Sequence, residues 1–155
     1  MDRQGKFTPT QLLVRASERV VYIMRHMHEE KGSSHSRLLD DMLMPNRLIT
    51  VGRSFACAAE GKKGYREHVV PCSMIVRRGH KMINEGHADA DIAAFIRENT
   101  KIVLISRDEA DHLNRRTRMN LRNSMPSEWK FGDDIFARLT AAGIKWSQIT
   151  CPLIN

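Results

Sequence analysis

The residues with the most chemistry between them lie in one stretch, Tyr65-Arg66-Glu67-His68-Val69-Val70-Pro71-Cys72-Ser73. An acid and an imidazole stand side by side, run into a β-branched pair and stop at a proline, so the charged groups lie where a strand begins or turns. An imidazole accepts a proton near neutral pH, and a neighbouring carboxylate can hold a divalent cation or fix the ring. Together they are the makings of a general base beside a metal. The plainer alternative is a surface Glu-His dipeptide on an ordinary strand. A second cluster, Arg115, Arg116, Arg118 and Arg122, packs four cations into eight residues. Such a set repels itself unless anions are near, and it is the kind of group that pins a phosphate backbone; a solvated helix face is the other reading. His80 and His87 sit in a polar, glycine-bearing region and are expected to face solvent. Trp129 and Trp146 are expected to be core or interface anchors.

The whole chain sets limits on these sites. With 155 residues it is one domain-sized unit, able to bury a core without metal or disulfide staples. The formal charge of +7 raises the local concentration of polyanions and makes nucleic acid the first partner to consider. Cys57, Cys72 and Cys151 are odd in number and show no Cys-x-x-Cys spacing, so they read as reduced thiols and not as a zinc site. Met1 to Thr10 is polar and no apolar run approaches the length that crosses a membrane. A cytoplasmic protein without membrane contact is expected.

The elements that must position the site follow from periodicity. Leu12, Leu13, Ala16, Val20, Ile23, Met24 and Met27 recur at three and four residues, which predicts an amphipathic helix from Thr8 to Lys31. Either Thr8 or Thr10 caps it, and Gly32 ends it. A short helix is predicted from Ser36 to Met44. Leu48–Val51 and Tyr65–Val70 read as two arms of a β-hairpin with His68 on the second, while Phe55–Ala59 between them suits strand or helix. Ser73–Asn84 reads as a helix broken near Gly79, and Asp89–Asn99 as a helix. Lys101–Ile105 is the clearest strand. Ser106 caps a following helix with Asp108 and Glu109 in its first turn, reaching Asn114 and at its longest Leu121. A last helix runs from Asp133 to Ala142 and stops at Gly143. The fold class is α+β: a mainly helical single domain, with 1–47 a helical part, 48–125 the core and 126–155 a helix and tail.

An acid-His-hydrophobic-hydrophobic-Pro strand, helical material, then strand and helix with acid, His and Asn side chains resembles the HNH, or ββα-metal, nucleases. The matching stretches are Glu67–Pro71 and Asn99–Glu109. The resemblance implies a hairpin-helix core in which His68 activates water, Glu67 binds one divalent metal, most simply Mg or Mn, and Asp111 or His112 supplies a second ligand. It implies a metal-dependent endonuclease or nickase, acting on DNA in preference to RNA. One departure stands out. Ala110 occupies the place where that family often has its metal-binding histidine, and a one-residue shift on a helix turns a side chain by about 100°. The other function class is therefore a non-catalytic basic protein on the same scaffold, contacting nucleic acid or a nucleic-acid-handling protein. A phage or mobile-element accessory protein, including an inhibitor of host defence, would suit that description.

Overall fold

The computed structural model describes residues 5–149; Cys151 lies outside them. Helix α1 (Pro9–Lys31) forms as its spacing predicts. The Thr8 hydroxyl accepts from the Gln11 N–H, the Gln11 side chain accepts from the Thr8 N–H, and Gly32 ends the helix in a left-handed turn. Its apolar face buries Ala16, Val20, Val21 and Met24 against α4 (Cys72–Asn84) and α5 (Asp89–Asn99). Residues 36–39 make a 3-10 turn where a longer helix was expected.

Four strands form one sheet: β1 (Thr50–Ser54), β2 (Tyr65–His68), β3 (Ile102–Ile105) and β4 (Trp146–Gln148). Their order is β2-β3-β1-β4, with β1 parallel to β3 and the two edge strands antiparallel to their neighbours. The expected hairpin between Leu48–Val51 and Tyr65–Val70 is therefore absent, because β3 lies between the two. The reason is burial. Ile102, Val103 and Ile105 are apolar on both faces, and such a strand belongs in the middle of a covered sheet. Residues 46–49 turn helical as α2 (Asn46–Ile49), and Phe55–Glu60 forms α3, whose cap is Ser54.

Antiparallel β2 and β3 are followed directly by α6 (Arg107–Asn114), which packs on β2. A β–β–α unit thus exists, built from a different strand pair than the sequence suggests. Ser106 caps α6 as predicted, in a capping box with Glu109. Glu109 also accepts a hydrogen bond of 2.6 Å from the Ser54 hydroxyl, tying α6 to the end of β1. The last helix, α7 (Ala137–Ala141), is shorter than the expected Asp133–Ala142. Asp133 and Asp134 instead accept from the Lys130 and Phe136 backbone N–H groups and hold a turn. Strand β4 follows and was not foreseen; it packs Trp146 over Gly52, where any Cβ would enter the indole ring. Trp129 and Trp146 both pack against the core, as expected. Helix α4 runs unbroken through Gly79, which lets it approach α1 closely: a Cβ there would lie 2.7 Å from the Met24 sulfur. No helix among the described residues is long and apolar enough to cross a membrane.

Candidate functional site

Side chains alternate across a strand, so neighbours Glu67 and His68 of β2 leave the sheet on opposite faces. Glu67 points toward α6 and α7 and His68 toward the 36–46 segment. This separation decides what each can do.

Glu67 is almost wholly buried, at 6% exposure, and Arg138 of α7 is fully buried. One Arg138 terminal nitrogen, Nη2, donates to Glu67 Oε1 at 2.9 Å and to Asn114 Oδ1 at 3.0 Å. The other, Nη1, donates to the His68 carbonyl at 2.6 Å. Asn114 closes the triangle by donating from Nδ2 to Glu67 Oε2 at 2.9 Å. One carboxylate oxygen, the Asn114 amide oxygen and the strand carbonyl thus converge on one guanidinium, while Asn114 Nδ2 holds the second carboxylate oxygen and Arg138 Nε is buried without a hydrogen-bond partner. A buried charge needs such a partner, since an unpaired carboxylate in the interior is strongly disfavoured.

The ligand set that the ββα-metal resemblance implies does not fit this arrangement. Glu67 is engaged on both oxygens. Asp111 pairs with Arg115 Nη2 at 2.7 Å and Arg118 Nε at 3.6 Å. His112 is exposed on the outer side of α6. Among the described residues no three His, Cys, Asp or Glu side chains gather in a way that would hold a metal ion. The α6 residue that reaches Glu67 is Asn114, one helical turn beyond the buried Ala110. Sequence reasoning passed over Asn114 and Arg138. For Arg138 the signal was present: it interrupts the apolar stripe Ile135, Leu139, Ala142, and a cation on an apolar face calls for a buried anion.

On the opposite face, His68 lines a cavity of about 360 Å³ with Asp40, Asp41, Asn46, Arg66 and Ile102. Burial pushes the imidazole's pKa down; the Asp40 carboxylate opposes this, and Arg138 and Arg66 reinforce it. His68 Nδ1 is buried without a hydrogen-bond partner. The nearby Cys72 thiol is pushed up to about 12 by burial, with Asp40 and Glu67 adding to the shift and Arg138 opposing it. A neutral imidazole here can accept a proton, but Glu67 is not beside it to hold an ion.

The predicted arginine cluster is exposed, though not as a helix face. Helix α6 stops at Asn114, and the chain folds back: the Met119, Asn120 and Leu121 N–H groups donate to the carbonyls of His112, Arg115 and Leu113. Arg115 and Arg122 are thereby brought to a cleft of about 490 Å³, which they line with Arg107, Asp111 and the ring of Tyr65. The Arg107 guanidinium lies over that ring, 5.5 Å from its centroid. Arg116 and Arg118 are exposed nearby in sequence on the same turn. A second basic cleft, of about 600 Å³, has Arg77, Arg78, Lys81 and Lys130 around Met74 and Phe131; it joins residues far apart in the chain. His87 is exposed as expected, whereas His80 is buried at 7% exposure, contrary to expectation.

The chain matches no protein-family model, no curated protein and no solved structure.

Proposed function

We propose that this chain is a basic nucleic-acid-binding protein without nuclease activity, built on an HNH-like β–β–α unit in which an internal arginine takes the place of a metal ion. The observation that carries the proposal is the Glu67–Arg138–Asn114 triangle. It supplies a permanent cation to the carboxylate that the nuclease reading needs as a metal ligand. The nuclease expectation for Glu67, His68, Asp111 and His112 gives way to this reading because Glu67 is taken up by Arg138 and Asn114, His68 leaves β2 on the other face, and Asp111 pairs with Arg115 and Arg118. Binding is assigned to the cleft of Arg107, Arg115 and Arg122. Asp111 holds Arg115 and Arg118 in place, and Tyr65 offers a ring against which a base or a guanidinium can stack. DNA is the first ligand to test.

Fluorescence anisotropy with labelled single-stranded DNA, duplex DNA and RNA over a salt series measures the interaction. Arg107→Ala, Arg115→Ala and Arg122→Ala together are expected to weaken binding and to flatten its log-log salt dependence by about 0.7 to 0.9 per lost phosphate contact. An unchanged slope would remove the cleft from the interface. Nicking of supercoiled plasmid with Mg or Mn, abolished by EDTA and by both Glu67→Gln and His68→Ala, would restore the nuclease reading.

A further inference from the structure

Where α1, α4 and the segment between α1 and the 3-10 turn meet, three side chains form a line. Ser34 Oγ lies 2.6 Å from His80 Nε2, and His80 Nδ1 lies 2.9 Å from His28 Nδ1. The two imidazoles are tilted by only 26°, with centroids 5.2 Å apart. At that separation, with two nitrogens in contact, the rings meet edge to edge along the nitrogen pair and do not lie face to face. The contact is therefore an in-plane hydrogen bond. Gly79 makes it possible, since the close approach of α4 to Met24 of α1 brings His80 onto His28. Ser34 and His80 both line a cavity of about 390 Å³, together with Ser36, Ser73, Val76 and Arg77 among others. Arg77 is exposed and takes part in no ion pair among the described residues.

We propose that Ser34, His80 and His28 form a Ser–His–His relay with Ser34 as the nucleophile, acting on a small ester that carries a negative charge for Arg77 to receive. A single proton must lie between the two Nδ1 atoms. When His80 carries it, His80 Nε2 is unprotonated and accepts the Ser34 hydroxyl proton, which is the arrangement that activates a serine. Burial lowers the His80 pKa, which favours the neutral ring that such a relay starts from. In the reaction Ser34 Oγ attacks the carbonyl carbon, its proton moves to His80 Nε2, and the carbonyl π pair goes to oxygen. His28 Nδ1 accepts from the resulting imidazolium and steadies it. Collapse of the intermediate breaks the ester C–O bond, and the leaving alkoxide takes the proton from Nε2. Water then attacks the acyl-serine by the same proton path, releasing the acid and restoring Ser34.

A fluorophosphonate probe reports the nucleophile independently of substrate identity. Incubation of the full chain, followed by intact mass and peptide mapping, should find one adduct, on Ser34, with fluoride released. The adduct should vanish in Ser34→Ala and form roughly 100-fold or more slowly in His80→Gln, as loss of a positioned base requires. His28→Gln, at a half-buried position that tolerates change better, should slow labelling by a smaller factor. Hydrolysis of a p-nitrophenyl hemiester of a dicarboxylic acid should exceed that of p-nitrophenyl acetate, and Arg77→Ala should erase the difference. Absence of a Ser34 adduct on folded wild-type protein would overturn the proposal. So would adducts spread over Ser33, Ser34 and Ser36, or labelling at wild-type rate in a folded His28→Gln or His80→Gln variant. Equal rates on the two esters would overturn the role given to Arg77.

Discussion

Arg138→Met is the most direct perturbation of the triangle that joins β2, α6 and α7. The substitution keeps most of the side-chain volume and removes the charge. It strands the Glu67 carboxylate, which is 6% exposed and keeps only the Asn114 amide as a donor. It also removes donors from Asn114 Oδ1 and the His68 carbonyl. Breaking a buried ion pair from one side destabilises by about 3 to 5 kcal/mol, and for a chain of this size that lowers Tm by roughly 6 to 20 °C. Glu67→Leu combined with Arg138→Met replaces both charges by apolar groups and should recover most of the loss, because no unpaired charge is left inside. Guanidinium denaturation of wild type, both single variants and the double variant gives the coupling energy directly. A smaller side chain carries the test further. Arg138→Ala leaves Glu67, Asn114 Oδ1 and the His68 carbonyl as an all-oxygen set of the kind that hard divalent cations take. Manganese should therefore raise the Tm of Arg138→Ala, not that of wild type, and Glu67→Gln should cancel the gain. The reasoning fails if Arg138→Met lies within about 1 kcal/mol of wild type, since a loss that small is typical of any substitution. It fails equally if manganese stabilises wild type through Glu67.

Two further outcomes follow from the face of β2 that carries His68. Its pKa is lowered by burial, with Asp40 opposing and Arg138 and Arg66 reinforcing, so below the ordinary value of about 6.5 the unfolded chain binds the proton more readily. Stability should be fully present above pH 6.5 and fall as the pH drops through the folded-state value, by at most about 1.4 kcal/mol per pH unit for this group; His68→Gln should flatten the dependence, and an identical slope in that variant would refute the assignment. Cys72, raised from 9.0 to about 12, should react with iodoacetamide at pH 8 on the order of a thousandfold more slowly in the native protein than in the urea-unfolded chain, as thiolate supply dictates. Peptide mapping that finds comparable rates in both states would overturn the environment described for that thiol.

Local signals in the sequence translated well into structure. The Thr8 and Ser106 caps, the glycine stops and the 3.6-residue periodicity of α1 each depend on residues within a few positions of one another. Strand pairing does not. Thr50–Ser54 and Tyr65–His68 are equally good partners for a hairpin by composition, and what separates them is the greater apolarity of Ile102–Ile105 on both faces. That comparison spans about fifty residues, beyond the reach of any local pattern. Of two legible site residues, His80 was expected at the surface and Arg138 was passed over. His80 falls on the same stripe of α4 as Val76 and Ile83, so its burial could be read from the spacing, just as Arg138 could be read from α7. Asn114 was less accessible. Its role depends on where α6 ends and on the presence of Arg138 across the sheet edge, which only the assembled fold supplies.

The triangle also explains how Glu67 is kept in place inside the core. A carboxylate inside the core has to be neutralised, and β2 has to be joined to the helices beside it. Here a guanidinium performs both tasks with fixed geometry: Nη2 spans Glu67 and Asn114, and Nη1 holds the His68 carbonyl at the end of β2. The planar fork of arginine suits this bridging better than a lysine ammonium would. The side chain that α6 contributes is the amide of Asn114, one turn beyond Ala110. An amide can both donate to the carboxylate and accept from the guanidinium, which an anionic or purely donating side chain could not do. The acid, the amide and the arginine therefore hold one another, and Glu67 serves the joining of β2 to α6 and α7, while Arg115 and Arg118 on the turn that follows pair with Asp111.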